Sequence, residues 1–383
     1  MFDWLRNLRA PRGVERKLLA WHALGRPVWS ARDPGVFARE GYAKNAIAYR
    51  CVRMIAEAAA SAPLNVGPPE HPLARLLARP NPEQTGVELL EAFYGHLQVA
   101  GNTFLEAASI EEAAPTEIYV LRPDRMSVIP GPDGWPIGWE HRAGDNVRRF
   151  ERDPVTSEAP ILHLKLFHPA DDWYGLSPME AAAFSIDIHN AGGAWNKALI
   201  DNAARPSGAL VFTGAGGADR LSEEQFQRLK QELEEMHVGA ANAGRPMLLE
   251  GGLEWRPMSL SPSDMDFIEA RYAAARDIAL AFGVPPMLLG IPGDNTYSNY
   301  REANLAFWRQ TALPLAIKGA RGVEAWLGNR WPEAGRAAVQ VDMDGISALA
   351  VEREALWARV GGADFLSEEE KRRLVGVGAP VRS

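Results

Sequence analysis

The densest group of side chains able to do chemistry is the run His163-Leu-Lys-Leu-Phe-His168-Pro-Ala-Asp171-Asp172. Imidazole nitrogens and carboxylates this close together are ligands for a divalent cation, and a bound ion would support metal-dependent hydrolysis. A structural reading competes with that one. His163 alternates with Leu162 and Leu164 as a strand residue does, and Asp171-Asp172 falls in a turn. Asp264-Met-Asp266 and Asp342-Met-Asp344 also pair carboxylates. The first pair lies in the opening turn of a predicted helix, where negative charge meets the positive end of the helix dipole. The lone cysteine, Cys51, shares an apolar stripe with Ile47, Met54, Ile55 and Ala58, which predicts a packing thiol rather than a nucleophile. The chain has no G-x-x-x-x-G-K-[ST], no G-x-G-x-x-G and no G-x-S-x-G, and Gly214-Ala-Gly-Gly217 reads as a turn. None of these residues forms a catalytic constellation, and no cofactor is expected.

The elements that must position them belong to an ordinary globular chain. It has 383 residues, of which 46% are hydrophobic and 23% charged, and this balance argues against global disorder. A net charge of −8 argues against tight, sequence-independent binding to phosphates. Residues 1–32 break that pattern with seven basic side chains against Asp3 and Glu15. Residues 1–34 read as a mobile basic arm that touches nucleic acid or an acidic neighbour, or as a solvated tail. One cysteine excludes a disulfide framework within the chain and a Cys-based zinc site. The longest apolar run, around Ile278 to Leu289, is too short for a bilayer span and contains Pro285 and Pro286. No membrane partner is therefore expected, and no apolar signal segment opens the chain.

Helical spacing runs from Asn45 to Pro63, and a second helix opens on the capping box Thr85-Gly-Val-Glu88 and ends at Gly101-Asn102. The period then changes. Thr103–Ala107, Glu117–Leu121, Arg125–Ile129, Pro136–His141 and Ile161–Leu166 read as short strands of a mostly antiparallel sheet. Ser177-Pro-Met-Glu180 starts a long helix with Phe184, Ile188, Ala191, Trp195 and Leu199 on one face, running to about residue 204. Residues 205–262 read as a small α/β insert, and a helix over 263–283 stops at Gly283-Val-Pro-Pro286. The last long helix begins near Thr296–Ser298 and should kink at residues 310–314, because Pro314 removes a backbone bond. A strand at Ala337–Asp342 precedes helices at 345–360 and 367–375.

Four motifs in order carry a resemblance: Trp173-Tyr-Gly-Leu-Ser-Pro178, Arg205-Pro-Ser-Gly208, Phe282-Gly-Val-Pro-Pro-Met-Leu-Leu-Gly290 and Thr296-Tyr-Ser-Asn299. Over about residues 45–375 the chain resembles the portal proteins of tailed bacteriophages, of the long-tailed type also found in prophages and gene transfer agents. It departs from that pattern at Leu199–Ala203, where many relatives carry an aromatic pair and a glycine. The resemblance implies an α+β portal fold and a ring, usually of twelve subunits, at one capsid vertex. Double-stranded DNA would pass through that ring. It also implies a wing at 35–176, stem helices at 177–204 and 263–283, a clip at 205–262 and a tunnel loop at 284–297. A kinked helix returning to the wing would fill 298–344 and a short helical crown 345–383.

Expected channel residues are Gly290, Ile291, Pro292, Gly293, Asp294, Asn295 and Thr296. Expected docking residues on the clip are Glu223, Glu224, Arg228, Lys230 and Glu234. Trp195, Tyr297, Tyr300 and Trp308 are candidate subunit contacts, with core packing as the competing role of each. The implied partners are further copies of the chain, DNA, the terminase large subunit, capsid protein and a head–tail adaptor. The implied location is the host cytoplasm during assembly and then the particle. No catalytic activity is implied. The competing readings are a metal-dependent enzyme acting at His163 and His168, and a head-assembly protein without a channel.

Overall fold

The computed structural model describes residues 33–109, 114–132, 134–201, 208–212, 253–257, 267–292 and 297–376, with isolated positions 224, 227, 228 and 231. The chain divides into two units, one made of Arg32–His189 with Asp266–Ser383, the other of Met1–Ala31 with Asn190–Met265.

In the larger unit, α1 (Pro34–Val36) leads into a π-helical segment, Phe37–Tyr42. Helix α2 (Ala46–Ser61) is capped by Asn45, whose side chain accepts from the amides of Ile47 and Ala48. Strand β1 (Leu64–Gly67) and α3 (Pro72–Ala78) follow. The predicted capping box opens α4 (Gly86–Ala100), and Gly101 closes it at φ +69°. A side chain could not stand there, because a Cβ would lie 2.2 Å from the Gly175 carbonyl oxygen.

The five strands of the expected sheet divide between two sheets, and a further pair of strands forms a third. Strands β2 (Asn102–Ala108), β3 (Glu117–Leu121) and β7 (Ile161–Lys165) form the order β3-β2-β7. Strands β4 (Met126–Pro130), β5 (Pro136–Ala143) and β6 (Asn146–Glu151) form a second antiparallel sheet. β6 has no apolar alternation to announce it: only Phe150 is buried. The Gly144-Asp145 turn folds it onto β5, with Ala143 opposite Asn146. The third sheet pairs β1 with β10 (Ala338–Val341), so distant parts of the chain meet there.

The helix expected over 177–204 is interrupted. Ser177 caps α5 (Pro178–Ala181), Ala182 forms a turn, and α6 runs over Ala183–Asp201. With that turn the buried side becomes Met179, Ala182, Ala183 and Ile186, while Phe184 is 56% exposed. The face drawn through Phe184, Ile188 and Ala191 is therefore not the one packed on the core.

In the smaller unit, β8 (Gly208–Phe212) pairs antiparallel with β9 (Leu253–Pro257). Apart from these strands and the isolated positions named above, residues 202–262 of the expected α/β insert lie outside the described residues.

The larger unit resumes with α7 (Phe267–Phe282), α8 (Tyr297–Phe307), a π-helical segment Trp308–Ala312 and α9 (Leu313–Leu327). The irregularity stands just before Pro314, where wider helical turns absorb the missing donor and the ring. The chain ends in α10 (Ala350–Gly361) and α11 (Glu368–Val375), the latter opened by a Ser367/Glu370 capping box. The main core joins α2, α4 and α9 through Ile55, Phe93, Leu97, Ala316 and Val323. Cys51 is buried there, and desolvation pushes its thiol up to about 12. Among the described residues no helix is long and apolar enough to cross a membrane.

Candidate functional site

The histidine and aspartate run is committed to bonds within the fold. Asn102 Oδ1 accepts from His163 Nε2 at 3.0 Å and from the Gly175 amide at 2.8 Å. Trp139 Nε1 approaches His163 Nδ1 at 3.4 Å. One neutral tautomer, with the proton on Nε2, satisfies both contacts and leaves no ring lone pair for a metal. The ring also stacks on Phe104 at 4.2 Å between centroids. Desolvation, aided by the nearby Lys165 charge, pushes His163 down to about 3. His168 Nδ1 accepts from the Ala170 amide, and Asp171 Oδ1 accepts from the amides of Trp173 and Tyr174. Asp171 thus shapes the turn that carries Trp173-Tyr-Gly-Leu. Among the described residues no group of three His, Cys, Asp or Glu side chains is placed to hold a metal ion. Asp344, from another carboxylate pair, is bound by Arg353 at 2.6 Å.

The expected tunnel loop is built differently. Helix α7 stops at Gly283, whose φ is +66°, and the Val284 amide returns to the Ala279 carbonyl at 2.9 Å. Thr311, in the π-helical segment, donates to the Gly283 carbonyl at 2.6 Å. Pro285 introduces a 3₁₀ turn over Pro286–Leu289, and Gly290 at φ +71° reverses the chain. Ile291 then points inward, 5% exposed, against Ala275 and Ala279 of α7. Arg276 Nη2 donates to the Pro292 carbonyl at 2.6 Å. Residues 283–292 are therefore a clamped base. Ile291, expected in the mobile channel-facing loop, is a core anchor, because an isoleucine beside two alanines of a helix is driven out of water. Gly290 and Pro292 stay at the surface, while Gly293, Asp294, Asn295 and Thr296 lie outside the described residues.

Of the clip candidates, Glu224 and Arg228 are helical, exposed and four residues apart, while Glu223, Lys230 and Glu234 lie outside the described residues. Trp195 is half-buried on α6, and Tyr297 begins α8. Tyr300 is 50% exposed. Trp308 instead packs against the main core, which is the alternative role considered for it. Sequence reasoning missed Arg276 and Thr311, which hold the loop base, and Asn102, which organises the histidine run. Neither Arg276 nor Thr311 carries a sequence signal, since each acts on a backbone carbonyl. Asn102 carried one as half of the Gly101-Asn102 helix stop.

This architecture is that of the tailed-phage portals. A crystal structure of an HK97 family phage portal protein from Corynebacterium diphtheriae covers 85% of this chain at a TM-score of 0.56 and 14% identity, a likeness of fold. The portal protein of Enterobacteria phage HK97 is 25% identical over 398 residues, covering 96% of this chain and 90% of its own. An uncharacterised protein of Rickettsia bellii (strain RML369-C) is 41% identical over 345 residues, 88% of each chain. A chain from the neck of a native gene transfer agent particle, computed with C12 symmetry, is 52% identical. It superposes at a TM-score of 0.72 and covers 93% of this chain and 96% of its own. The phage portal protein model matches residues 46–376, and the chain belongs to that family.

Proposed function

We propose that the chain is the portal subunit of a phage-like particle, assembling as a ring of twelve at one capsid vertex through which double-stranded DNA enters and leaves. The observation that carries this reading is the 52% identity, over 93% of the chain, to a subunit of a particle neck with twelvefold symmetry. Residues 35–176 serve as the wing against capsid protein. Residues 177–204 and 263–283 serve as stem helices, and 205–262 as the clip that docks first the terminase large subunit and later the head–tail adaptor. The stretch 284–297 is the tunnel loop. Within it Ile291 is buried, while Gly290 and Pro292 are exposed and open to contact with DNA.

The protein acts by shape and position, with the energy for translocation supplied by a separate terminase ATPase. A net charge of −8 suits a channel, since each neutralised phosphate adds affinity and would hold a strand that has to slide. Deleting the gene from a particle-producing strain tests this. Heads without DNA and without necks are expected, and DNA-filled heads made in its absence would contradict the proposal.

A further inference from the structure

The C-terminal helices carry a projection and a recess of matching character. Helix α10 ends at Gly361, and two backbone bonds, Ala363 to Val360 at 3.2 Å and Leu366 to Ala363 at 3.3 Å, fix the corner before the Ser367 cap of α11. Phe365 stands on that corner 88% exposed. Asp364 precedes it, and the exposed Glu368 and Glu369 follow. The corner thus presents one aromatic side chain in water among carboxylates.

The recess is a groove of about 490 Å³ between the π-helical segment and α10. Leu313, Met343, Leu349 and Leu356 line it, and its charged lining is Arg309, Glu352, Arg353 and Arg359. Arg309 pairs with Glu352 at 3.3 Å, whereas Arg359 pairs with no carboxylate among the described residues. With Arg309 held by Glu352 and Arg353 by Asp344, the groove suits an aromatic ring with one acid beside it, at Arg359. Being exposed, Phe365 is not seated in the groove of its own chain.

We infer that the Asp364-Phe365 corner of one copy seats in the groove beside α10 of the next, with Asp364 facing Arg359 across the contact. The two surfaces differ, so the contact is head-to-tail and repeats from copy to copy until a ring closes. This inference rests on the ring reading proposed above and names the surfaces that would join its subunits.

Sedimentation velocity of the full-length chain over a concentration series tests it, with Phe365→Asp, Arg359→Glu and the double variant Arg359→Glu/Asp364→Arg beside wild type. Phe365→Asp should need about tenfold or more protein for half-assembly, as expected when an aromatic anchor leaves its pocket. Its melting temperature as a dilute subunit should not change, because Phe365 is already in water. Arg359→Glu should shift assembly in the same direction, and the double variant should recover most of that loss. If wild type assembles and both single variants assemble at its concentration, the inference is overturned while the ring reading stands. A wild-type chain that stays monomeric at every concentration overturns the ring reading itself, and the inference with it.

Discussion

Two stretches of this chain invert the expectation drawn from their residue types. Residues 161–176 hold two histidines and two aspartates, the usual material of catalysis, yet His163 bonds across to Asn102 while His168 and Asp171 shape local turns. Residues 283–292 hold glycines, prolines and aliphatics, yet their backbone is braced at both ends by Thr311 and Arg276. The difference teaches that a reactive side chain is informative only once its hydrogen bonds are counted. In the first stretch the histidine's capacity is spent, and in the second other side chains are spent on holding a backbone.

The strongest way to break this comparison is His163→Ala. It removes the donor to Asn102, the acceptor near Trp139 and the ring stacked on Phe104. A stability loss of about 2–4 kcal/mol in urea unfolding is expected. An unchanged midpoint would mean that the histidine is not structural.

Ile291→Ala should act more locally, costing about 2 kcal/mol at the loop base through the lost methyl groups. Limited proteolysis should cut within residues 290–297 faster than in wild type while the core strands resist. Equal cleavage rates would show that Ile291 does not anchor the loop.

Acid should weaken the first stretch. Folded His163 stays neutral down to about 3, whereas an unfolded histidine takes up its proton near 6.5. Acidification therefore favours the unfolded chain from about pH 6.5 downward, by about 1.4 kcal/mol per pH unit for each such histidine. The loss levels off near pH 3, where the folded ring protonates. His96, held down to about 4, and His189, also lowered, act in the same sense. His163→Gln should flatten part of the slope of unfolding free energy between pH 7 and 5, and an unaltered slope would count against this assignment.

The smallest effect tests the one loose end beside the run. Thr103, opposite Leu164 on β2, buries a hydroxyl with no hydrogen-bond partner among the described residues. Thr103→Val keeps the shape and removes that unpaired group, so stability should rise by up to about 1 kcal/mol. A loss instead would show that the hydroxyl is satisfied in solution.

Much of this fold was legible where local chemistry decides it. Asn45, Thr85, Ser177 and Ser367 each cap the helix that the spacing announced, and Gly101 and Gly283 end theirs. What stayed hidden depends on distant partners. β6 exists because the Gly144 turn lays it on β5, and β1 because residues some 270 positions later arrive beside it. The break at Ala182 puts Ala183 and Ile186, rather than Phe184, on the buried side of α6, which apolar spacing alone does not resolve. The loop motif Phe282–Gly290 was visible as residues, but its clamp depends on Arg276 and Thr311, which reach backbone atoms that no pattern reports.

The most direct test of the central claim is the native mass of the purified chain together with electron micrographs of the same sample. Twelve copies of a 41.9 kDa chain weigh about 503 kDa, and rings near that mass with a central hole are predicted. A compact dimer, without a hole and with a bound metal, would contradict the portal reading and return attention to His163 and His168.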